Sequence, residues 1–244
     1  MASLIERLAL VRERIAAAAR RAGRDPETIR LVGVTKTQPV EVIRAALDVG
    51  LREVGENRVQ EAEAKMAAFA ADRQRPIWHL IGHVQTNKAR KAALLFDMIH
   101  SVDSLRLAQL LERSIAGDRR DAGWRLPILL QVNVSGEATK SGFDLWEWEE
   151  RRDAYERFCV DVTQILALPH LDVRGLMTIA PWEPDPEATR PVFRATRRLR
   201  DALARRFPDA AWYELSMGMT DDFEIAIEEG ATIIRIGRAI FGER

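Results

Sequence analysis

The stretch RLVGVTKTQP, residues 30–39, runs from a β-branched segment into a proline. Nearly continuous apolar residues are typical of parallel strands that are covered on both faces, and proline is favoured in the first turn of a helix. We therefore predict a strand at Arg30–Thr35 and a helix that begins at Pro39. A strand followed by a helix is the repeating unit of α/β folds.

The same unit recurs along the rest of the chain. The predicted strands are Arg30–Thr35, Glu53–Gly55, Ile77–Ile81, Met98–Val102, Ile128–Val134, Asp172–Ile179, Trp212–Leu215 and Thr232–Ile236. Eight such units predict an α/β fold with a single (β/α)₈ TIM barrel, which typically needs about 250 residues and fits one domain over residues 1–244. An open doubly wound sheet is the alternative, and the lack of a G-x-G-x-x-G motif after the first strand disfavours it.

Helical patterns lie outside the predicted strands. In residues 1–24, apolar residues at every third or fourth position predict an N-terminal helix that packs on the barrel. Asn57 and Ser104 are expected to cap two of the later helices. Leu145–Tyr155 is expected to begin a long outer helix, and Arg190–Arg206 to form a solvated outer helix with one apolar face.

The formal net charge is zero, which argues against binding to nucleic acid or to an anionic membrane, because both attract a positive field. No apolar run is long enough to span a membrane, and no signal peptide is recognisable. With a single cysteine, Cys159, these features predict a cytoplasmic protein. No metal site is expected, because His79 and His83 have no third ligand nearby; His79 is expected in the core and His83 at the barrel mouth.

Lys36 directly follows the first predicted strand, and active sites of such barrels lie at the carboxyl ends of the strands. Its residue type is informative because only five of the 37 basic residues are lysine. A lysine that loses its proton there can attack an aldehyde to form a Schiff base, which an arginine cannot do. A snorkelling or ion-paired lysine is the alternative, and the spacing alone leaves both interpretations open.

The ends of the last two predicted strands have features of a phosphate site, a common place for phosphate in these barrels. Gly218 and Gly237 would let the backbone approach an anion, and the Ser216 hydroxyl is a further donor. Both glycines could instead serve tight turns. Arg235 could face the mouth and donate a hydrogen bond to a ligand there. It would not transfer a proton to that ligand, because a guanidinium stays protonated. An ion pair between Arg235 and Glu56 is the alternative.

Three methionines are expected to fill the top of the barrel beside a bound ring. These are Met177, Met217 and Met219, whose flexible side chains suit irregular apolar gaps.

Several stretches together resemble one known family. They are residues 31–37, 55–61, 78–88, 131–134, 140–143, 174–179, 215–223 and 235–242. In these stretches the chain closely resembles the pyridoxal phosphate homeostasis protein family (the YggS/PROSC type). The resemblance extends over nearly the whole chain in one order, which makes it more specific than any single motif.

The resemblance implies the barrel of the alanine racemase N-terminal domain, with pyridoxal 5′-phosphate (PLP) held as a Schiff base, the internal aldimine, on Lys36. It also implies Asn57 near the cofactor, phosphate contacts around Ser216 and Gly237–Arg238, and Arg235 facing the pyridine nitrogen.

One position departs from the family pattern. Relatives often have a small hydroxyl residue after Gly237, where this chain has Arg238. An arginine at that position could clamp the phosphate, or it could point away and serve packing.

The resemblance further implies a role in supplying or buffering intracellular PLP, with PLP-dependent apoenzymes as recipients and no established catalytic turnover. A PLP-dependent enzyme such as an amino-acid racemase is the alternative, and it needs a proton donor and acceptor on opposite faces of the substrate. Racemases with this barrel add a second domain, for which we expect no room here, and the tyrosines are limited to Tyr155 and Tyr213. We therefore expect a monomeric carrier of PLP and not an enzyme. A Schiff-base aldolase that acts on a sugar phosphate without PLP is a further alternative, which the resemblance disfavours.

Overall fold

The computed structural model describes residues 3–72, 75–116 and 123–242. Within these ranges the strands are β1 (Arg30–Val34), β2 (Glu53–Glu56), β3 (Ile77–Leu80), β4 (Met98–Val102), β5 (Leu126–Asn133), β6 (Phe143–Asp144), β7 (Leu171–Met177), β8 (Glu214–Ser216) and β9 (Ile233–Ile236). All strand pairings are parallel, in the order β4-β3-β2-β1-β9-β8-β7-β5, and a pairing between β4 and β5 closes the ring. The predicted (β/α)₈ barrel is confirmed; the short β6, which pairs with the end of β5, was not predicted.

The described helices are α1 (Leu4–Arg21), α2 (Val40–Asp48), α3 (Val59–Ala68), α4 (Ala89–Leu95), α5 (Leu105–Ile115), α6 (Arg152–Leu166), α7 (Arg190–Arg206), α8 (Phe223–Glu228) and α9 (Arg238–Phe241). None of them is long and apolar enough to cross a lipid bilayer. The helix after β1 begins at Val40, with Pro39 as its N-cap, one residue later than predicted.

The predicted N-terminal helix is α1. Ser3 caps it by accepting a hydrogen bond from the backbone N–H of Glu6 at 3.2 Å, and the Glu6 carboxylate accepts from the Ser3 N–H in return. The side chains of Leu8, Val11 and Ile15 are buried, and the helix packs against α8 and α9. This helix therefore covers the outside of the barrel beside its last βα unit.

Alternation along the strands separates two apolar clusters. The interior cluster consists of Val32, Met98, Leu129, Met177 and Ile233, which are all buried. A much larger outer cluster lies between the strands and the helices and includes residues of α1 to α8. Because the interior cluster is small, the barrel centre has room for polar side chains.

The pairing that closes the ring is irregular. Ile99 pairs with Ile128 and Val102 with Leu130, so β4 has one residue more than β5 between the two pairs. An extra residue of this kind, a β-bulge, reverses which side chains face inward. Accordingly, Met98 lies in the interior cluster, whereas Val102 lies in the outer cluster although both positions are even-numbered.

Three local predictions are wrong, and two are confirmed. Asn57 caps no helix, because α3 starts later, with Arg58 as its N-cap and without a side-chain capping bond. The predicted helix start at 145–155 is a turn up to Arg151: Glu147 has a positive φ of 48°, which interrupts helical geometry. Ser104 does cap α5, with its hydroxyl accepting from the Leu107 N–H at 3.3 Å.

The third wrong prediction is the start of the seventh strand. Trp212 is not part of β8: its indole N–H donates to the Phe207 carbonyl at 3.2 Å, which ties it to the end of α7. The predicted outer helix Arg190–Arg206 is confirmed as α7, and its buried face includes Thr196, Leu199 and Leu203.

Candidate functional site

Lys36 lies at the barrel mouth, where β1 gives way to a turn. Val32 points into the barrel, and a residue four positions later shares its facing when the strand geometry continues. The next residue, Thr37, has a φ of 64°, a left-handed conformation that is unfavourable for a β-branched residue. Lys36 is half-buried and lines a cavity of about 550 Å³. The chain therefore turns sharply just after this lysine.

A second lysine supports that turn from behind. The buried Lys65 Nζ lies 2.7 Å from each of three acceptors, the Thr35 carbonyl, Glu56 Oε1 and Glu61 Oε1. Glu61 Oε1 also accepts a hydrogen bond of 2.5 Å from the backbone N–H of Thr37. We refer to Lys65, Glu56 and Glu61 as the lysine buttress, because they fix the backbone on both sides of Lys36.

The two carboxyl groups of the lysine buttress differ in their electrostatics. Burial raises the pKa of Glu56, and hydrogen bonds from Lys65 and Thr35 oppose this effect without cancelling it. Burial also favours a raised pKa for Glu61, but hydrogen bonds from Lys65 and Thr37 outweigh it, so the pKa is lowered. Glu61 is therefore the carboxylate that holds the turn as an anion.

The 550 Å³ cavity falls in the range of about 300–1,000 Å³ that is typical of small-molecule sites. It brings together Lys36, Arg235, Gly237 and Arg238 of the predicted site residues. Asn57 lines a separate cavity of about 250 Å³ on the other side, which Lys36 also lines. The lysine thus stands between the two cavities.

Arg235 forms the deep side of the larger cavity and is almost completely buried. Its Nη1 donates to Ser216 Oγ at 2.6 Å, and its Nη2 donates to the Thr178 carbonyl at 2.9 Å. The alternative ion pair with Glu56 is excluded, because that carboxylate pairs with Lys65. Burial lowers the pKa of Arg235 to about 10, which leaves the guanidinium protonated at neutral pH.

Ser216 does not line the larger cavity among the described residues. Its hydroxyl lies beneath Arg235 in the barrel centre, where it also contacts His100 Nδ1 at 2.9 Å. In this arrangement Ser216 orients Arg235.

The two glycines of the predicted phosphate site have different roles. Gly218 has a φ of 95°, and a Cβ there would lie 2.6 Å from the Cβ of Ala226, so the turn itself requires glycine. Gly237 has no such constraint, because the atom nearest to an added Cβ would be the Cβ of Val34, at 3.5 Å. Gly237 lines the cavity, and its backbone leads into Arg238.

Arg238 lies at the outer edge of the cavity. Its guanidinium donates to the carboxylate of Asp221, and both side chains are about half exposed. Both residues line the cavity, so a small movement of this pair would change how much positive charge faces it.

The three methionines predicted at the top of the barrel lie in three different surroundings. Met177 belongs to the interior cluster. Met217 is fully buried in the outer cluster, because Ser216 takes the inward position and the next side chain must face the helices. Met219 is 38% exposed at the cavity edge. The prediction for Met217 is therefore wrong, whereas Met219 lines the cavity at the barrel mouth, in agreement with its prediction.

His79 and His83, on either side of the end of the third predicted strand, lie apart, as predicted. His79 is buried in the barrel centre and contacts His100, with 2.9 Å between Nδ1 and Nε2. His83 is exposed at the mouth, where its Nδ1 lies 2.9 Å from Asp103. They do not converge on a common ligand position.

Sequence reasoning missed the lysine buttress and His100. Lys65 is one of the same five lysines, so the rarity of lysine also singles it out as a candidate functional or structural residue. His100 had no comparable signal, because its role depends on contacts with side chains of two other strands.

Comparisons with known proteins agree with this geometry. Residues 7–244 match the family model for the alanine racemase, N-terminal domain. The chain is 44% identical to the pyridoxal phosphate homeostasis protein of Aquifex aeolicus, over 98% of this chain and 97% of that protein. It also resembles the PLP-bound structure of PipY from Synechococcus elongatus, with 36% identity, a TM-score of 0.81, and coverage of 98% of this chain and 100% of PipY.

A more distant likeness concerns the fold alone. The alanine racemase of Clostridium difficile, solved with cycloserine, is 15% identical, with a TM-score of 0.67. The match covers 96% of this chain and 59% of that racemase.

Proposed function

Because the chain belongs to the pyridoxal phosphate homeostasis protein family, we propose that it binds PLP covalently through Lys36 and supplies or buffers this cofactor in the cell. The observation that carries the proposal is the placement of Lys36. The lysine buttress fixes it at the mouth, beside a cavity of about 550 Å³ that Arg235 and Gly237 also line.

The donor set of the cavity fits PLP. A phosphate dianion needs cationic and backbone donors, which Arg238 and the backbone around Gly237 can provide. An aromatic ring between the phosphate and Lys36 would meet the buried Arg235. When bound, PLP would supply an aldehyde, and Lys36 would be the residue that holds it as a Schiff base.

The chemistry of Arg235 favours a carrier over an enzyme. A protonated guanidinium can donate a hydrogen bond to a ring nitrogen, but it does not transfer its proton as an acidic partner would. The ring would then be a weak electron sink, which disfavours reactions that pass through a substrate carbanion. Arg235 would orient the cofactor without activating it.

The positions of the tyrosines point the same way. Tyr155 lies on α6 against Trp148, and Tyr213 directly precedes β8, at the end of the barrel opposite the mouth. Neither is in place to move a proton on a substrate at Lys36. The alternative of an amino-acid racemase therefore lacks support from these residues.

Borohydride reduction in the presence of PLP, followed by peptide mass mapping, tests the proposal. We expect the phosphopyridoxyl label on Lys36 in the wild type. In Lys36→Ala, the absorbance band of the Schiff base should be missing, and the far-UV circular dichroism spectrum should be unchanged. Lys88→Ala is the matched control, because Lys88 lines the neighbouring mouth cavity and should not affect labelling at Lys36. Absence of label at Lys36 in the wild type would refute PLP binding through this residue.

A second experiment separates a carrier from an enzyme. We propose PLP-dependent apoenzymes as recipients and a monomeric state. A PLP-loaded sample should restore activity to an apoenzyme across a dialysis membrane, and light scattering should give the monomer mass. Racemase or transaminase turnover at ordinary rates, on the order of 1–10³ s⁻¹, would overturn the carrier interpretation.

A further inference from the structure

A column of polar side chains runs through the barrel from the cavity toward the opposite end. Arg235 Nη1 lies 2.6 Å from Ser216 Oγ, which lies 2.9 Å from His100 Nδ1. His100 Nε2 lies 2.9 Å from His79 Nδ1, with the two rings nearly perpendicular. His79 Nε2 in turn lies 2.9 Å from Glu53 Oε2. We call these five residues the central column.

The last contact has the distance of a hydrogen bond but an angle outside the usual range. We still include this contact in the column, because a buried imidazole N–H requires an acceptor and the Glu53 carboxylate lies 2.9 Å away. Arg30 holds Glu53 from below, with its Nη2 at 2.9 Å from Oε2, and Arg30 Nη1 also contacts Glu214 at 2.8 Å. The column therefore ends on a carboxylate that is fixed in place.

The two ends of the central column fix the direction of the hydrogen bonds that they make. The Arg235 guanidinium has donors alone, so Ser216 Oγ accepts from it. Although burial opposes ionisation, the contacts with His79 and Arg30 lower the pKa of Glu53 to about 2, so this carboxylate only accepts. Between these ends, a neutral His79 passes the protons in one sense, from Arg235 toward Glu53, whereas a charged His79 reverses the middle bonds.

One arrangement uses each of these protons once. His79 donates from Nε2 to Glu53 and accepts at Nδ1 from His100 Nε2–H. His100 then accepts at Nδ1 from the Ser216 hydroxyl, which leaves the Ser216 lone pairs facing Arg235. Both imidazoles are neutral in this arrangement. A charged His79 would instead reverse the middle bonds, direct two donors at Ser216 Oγ and leave the serine proton without an acceptor.

The surroundings of His100 favour the neutral form. The side chain is completely buried, and burial lowers the pKa of His100 well below its usual range, with the charges of Arg235 and Arg30 acting in the same direction. Within the described chain, no carboxylate contacts His100 directly; its recorded polar contacts are His79 and Ser216.

We propose that His100 and His79 are positioning residues, which hold Arg235 against the cofactor ring through Ser216 as neutral Nε2–H tautomers in a one-way chain of hydrogen bonds. This role rests on the proposed function, because the orientation of Arg235 matters to a ring bound in the cavity. Neither histidine touches the cavity itself, so both act through Ser216.

The tautomers can be measured without PLP. Long-range ¹H–¹⁵N NMR correlations on the ligand-free protein should show Nε2–H signals for His79 and His100 at neutral pH, assigned by comparison with His170→Asn, which removes a surface histidine. An Nδ1–H tautomer or a charged ring at either position would overturn the one-way chain. This readout is valid whether or not PLP binds at Lys36.

Two substitutions of His100 separate its two contacts. His100→Asn places an amide oxygen near the Nδ1 position and can still accept from Ser216, whereas His100→Gln places its amide near Nε2 and loses that acceptor. We expect about tenfold weaker PLP binding and a shifted absorbance band in His100→Gln, as for the loss of one buried hydrogen bond, and a change within about twofold in His100→Asn.

The outcomes distinguish this inference from the proposed function. Equal PLP affinities and spectra in wild type and both variants, with Lys36 still labelled, would overturn the positioning role and leave PLP binding intact. Loss of labelling in the wild type would refute the proposed function instead. If His100→Gln fails to fold, Ser216→Ala should weaken PLP binding by a similar factor, and an unchanged affinity in Ser216→Ala would overturn the positioning role.

Discussion

Lys36 and Arg238 line the same cavity, but the chain holds them in opposite ways. Behind Lys36, the buried lysine buttress binds the backbone of Thr35 and Thr37 on both sides. Arg238 lies across the cavity with a half-exposed side chain that pairs with an equally exposed Asp221. The difference indicates a backbone that is held rigidly at Lys36 and, across the cavity, a cation that is free to adapt, which would suit the proposed capture and release of PLP.

The largest expected effect is on the rigid side. Lys65→Met removes the ammonium group and leaves the fully buried Glu56 side chain without its cation. Breaking a buried pair in this way typically costs about 3–5 kcal/mol, so the urea midpoint should fall strongly. The matched control is Lys91→Met, whose ammonium pairs with Glu63 at the surface and should cost at most about 1 kcal/mol. Similar losses in both variants would mean that the lysine buttress adds no special stability.

A smaller loss in the free energy of unfolding is expected from Gly218→Ala, in the turn after β8 that leads toward Asp221. The new Cβ would lie 2.6 Å from the Cβ of Ala226 in a backbone conformation that favours glycine. Overpacking and strain together predict a loss of about 2 kcal/mol in the free energy of unfolding. Gly23→Ala serves as the control, since Gly23 also has a positive φ but no atom within 4 Å of a Cβ. If Gly23→Ala lowers the free energy of unfolding by as much as Gly218→Ala, packing of the new Cβ against α8 does not contribute to the loss.

The rigid side should also loosen in acid. The pKa of Glu61 is lowered in the folded protein, so its contribution is present above the unfolded pKa and is lost as the pH falls toward the folded value. Glu61→Gln keeps an acceptor for Lys65 and Thr37 but removes this titration. Between pH 6 and pH 3, the variant should lose about 1 kcal/mol less stability than the wild type in urea titrations. Parallel losses would show that Glu61 does not hold the turn through its charge.

The smallest effect is expected at the cavity edge. Asp221→Asn weakens the hold on Arg238 and leaves its guanidinium available to a bound phosphate, so PLP binding should tighten by about two- to threefold. Pyridoxal, which lacks the phosphate, should bind both proteins equally. The PLP affinity of Arg238→Ser, which has a small hydroxyl in place of the guanidinium, is measured for comparison with that of Asp221→Asn. Equal tightening for pyridoxal would place Arg238 outside the phosphate site.

Much of the architecture followed from the sequence because strands covered on both faces are readable as short apolar runs. The sequence predicts β4 with its observed ends, Met98–Val102, and predicts the first strand one residue too long, to Thr35 instead of Val34. The side on which a residue faces was harder to predict. Met217 was assigned to the mouth from its neighbourhood in the chain, whereas strand alternation after the inward Ser216 directs it to the helices.

The contacts that define the site could not be predicted from spacing. Lys65 lies on α3, and it meets Thr35 across 30 positions of the chain, after two strands and a helix have been placed against each other. The column from Arg235 to Glu53 similarly joins side chains of five different elements or loops. Such convergence depends on the closed ring and leaves no local pattern.

The extra residue in β4 limits how the strand can vary in length. His100 faces the barrel centre and Val102 faces the helices on one short strand because the bulge between Ile99 and Val102 changes the parity. Deleting one residue there would restore regular alternation and turn either the imidazole into the apolar shell or the valine into the polar centre. Insertions and deletions should therefore be tolerated in the surface loops around β4 but not within it, which makes the length of this strand a feature that protein engineers would have to keep.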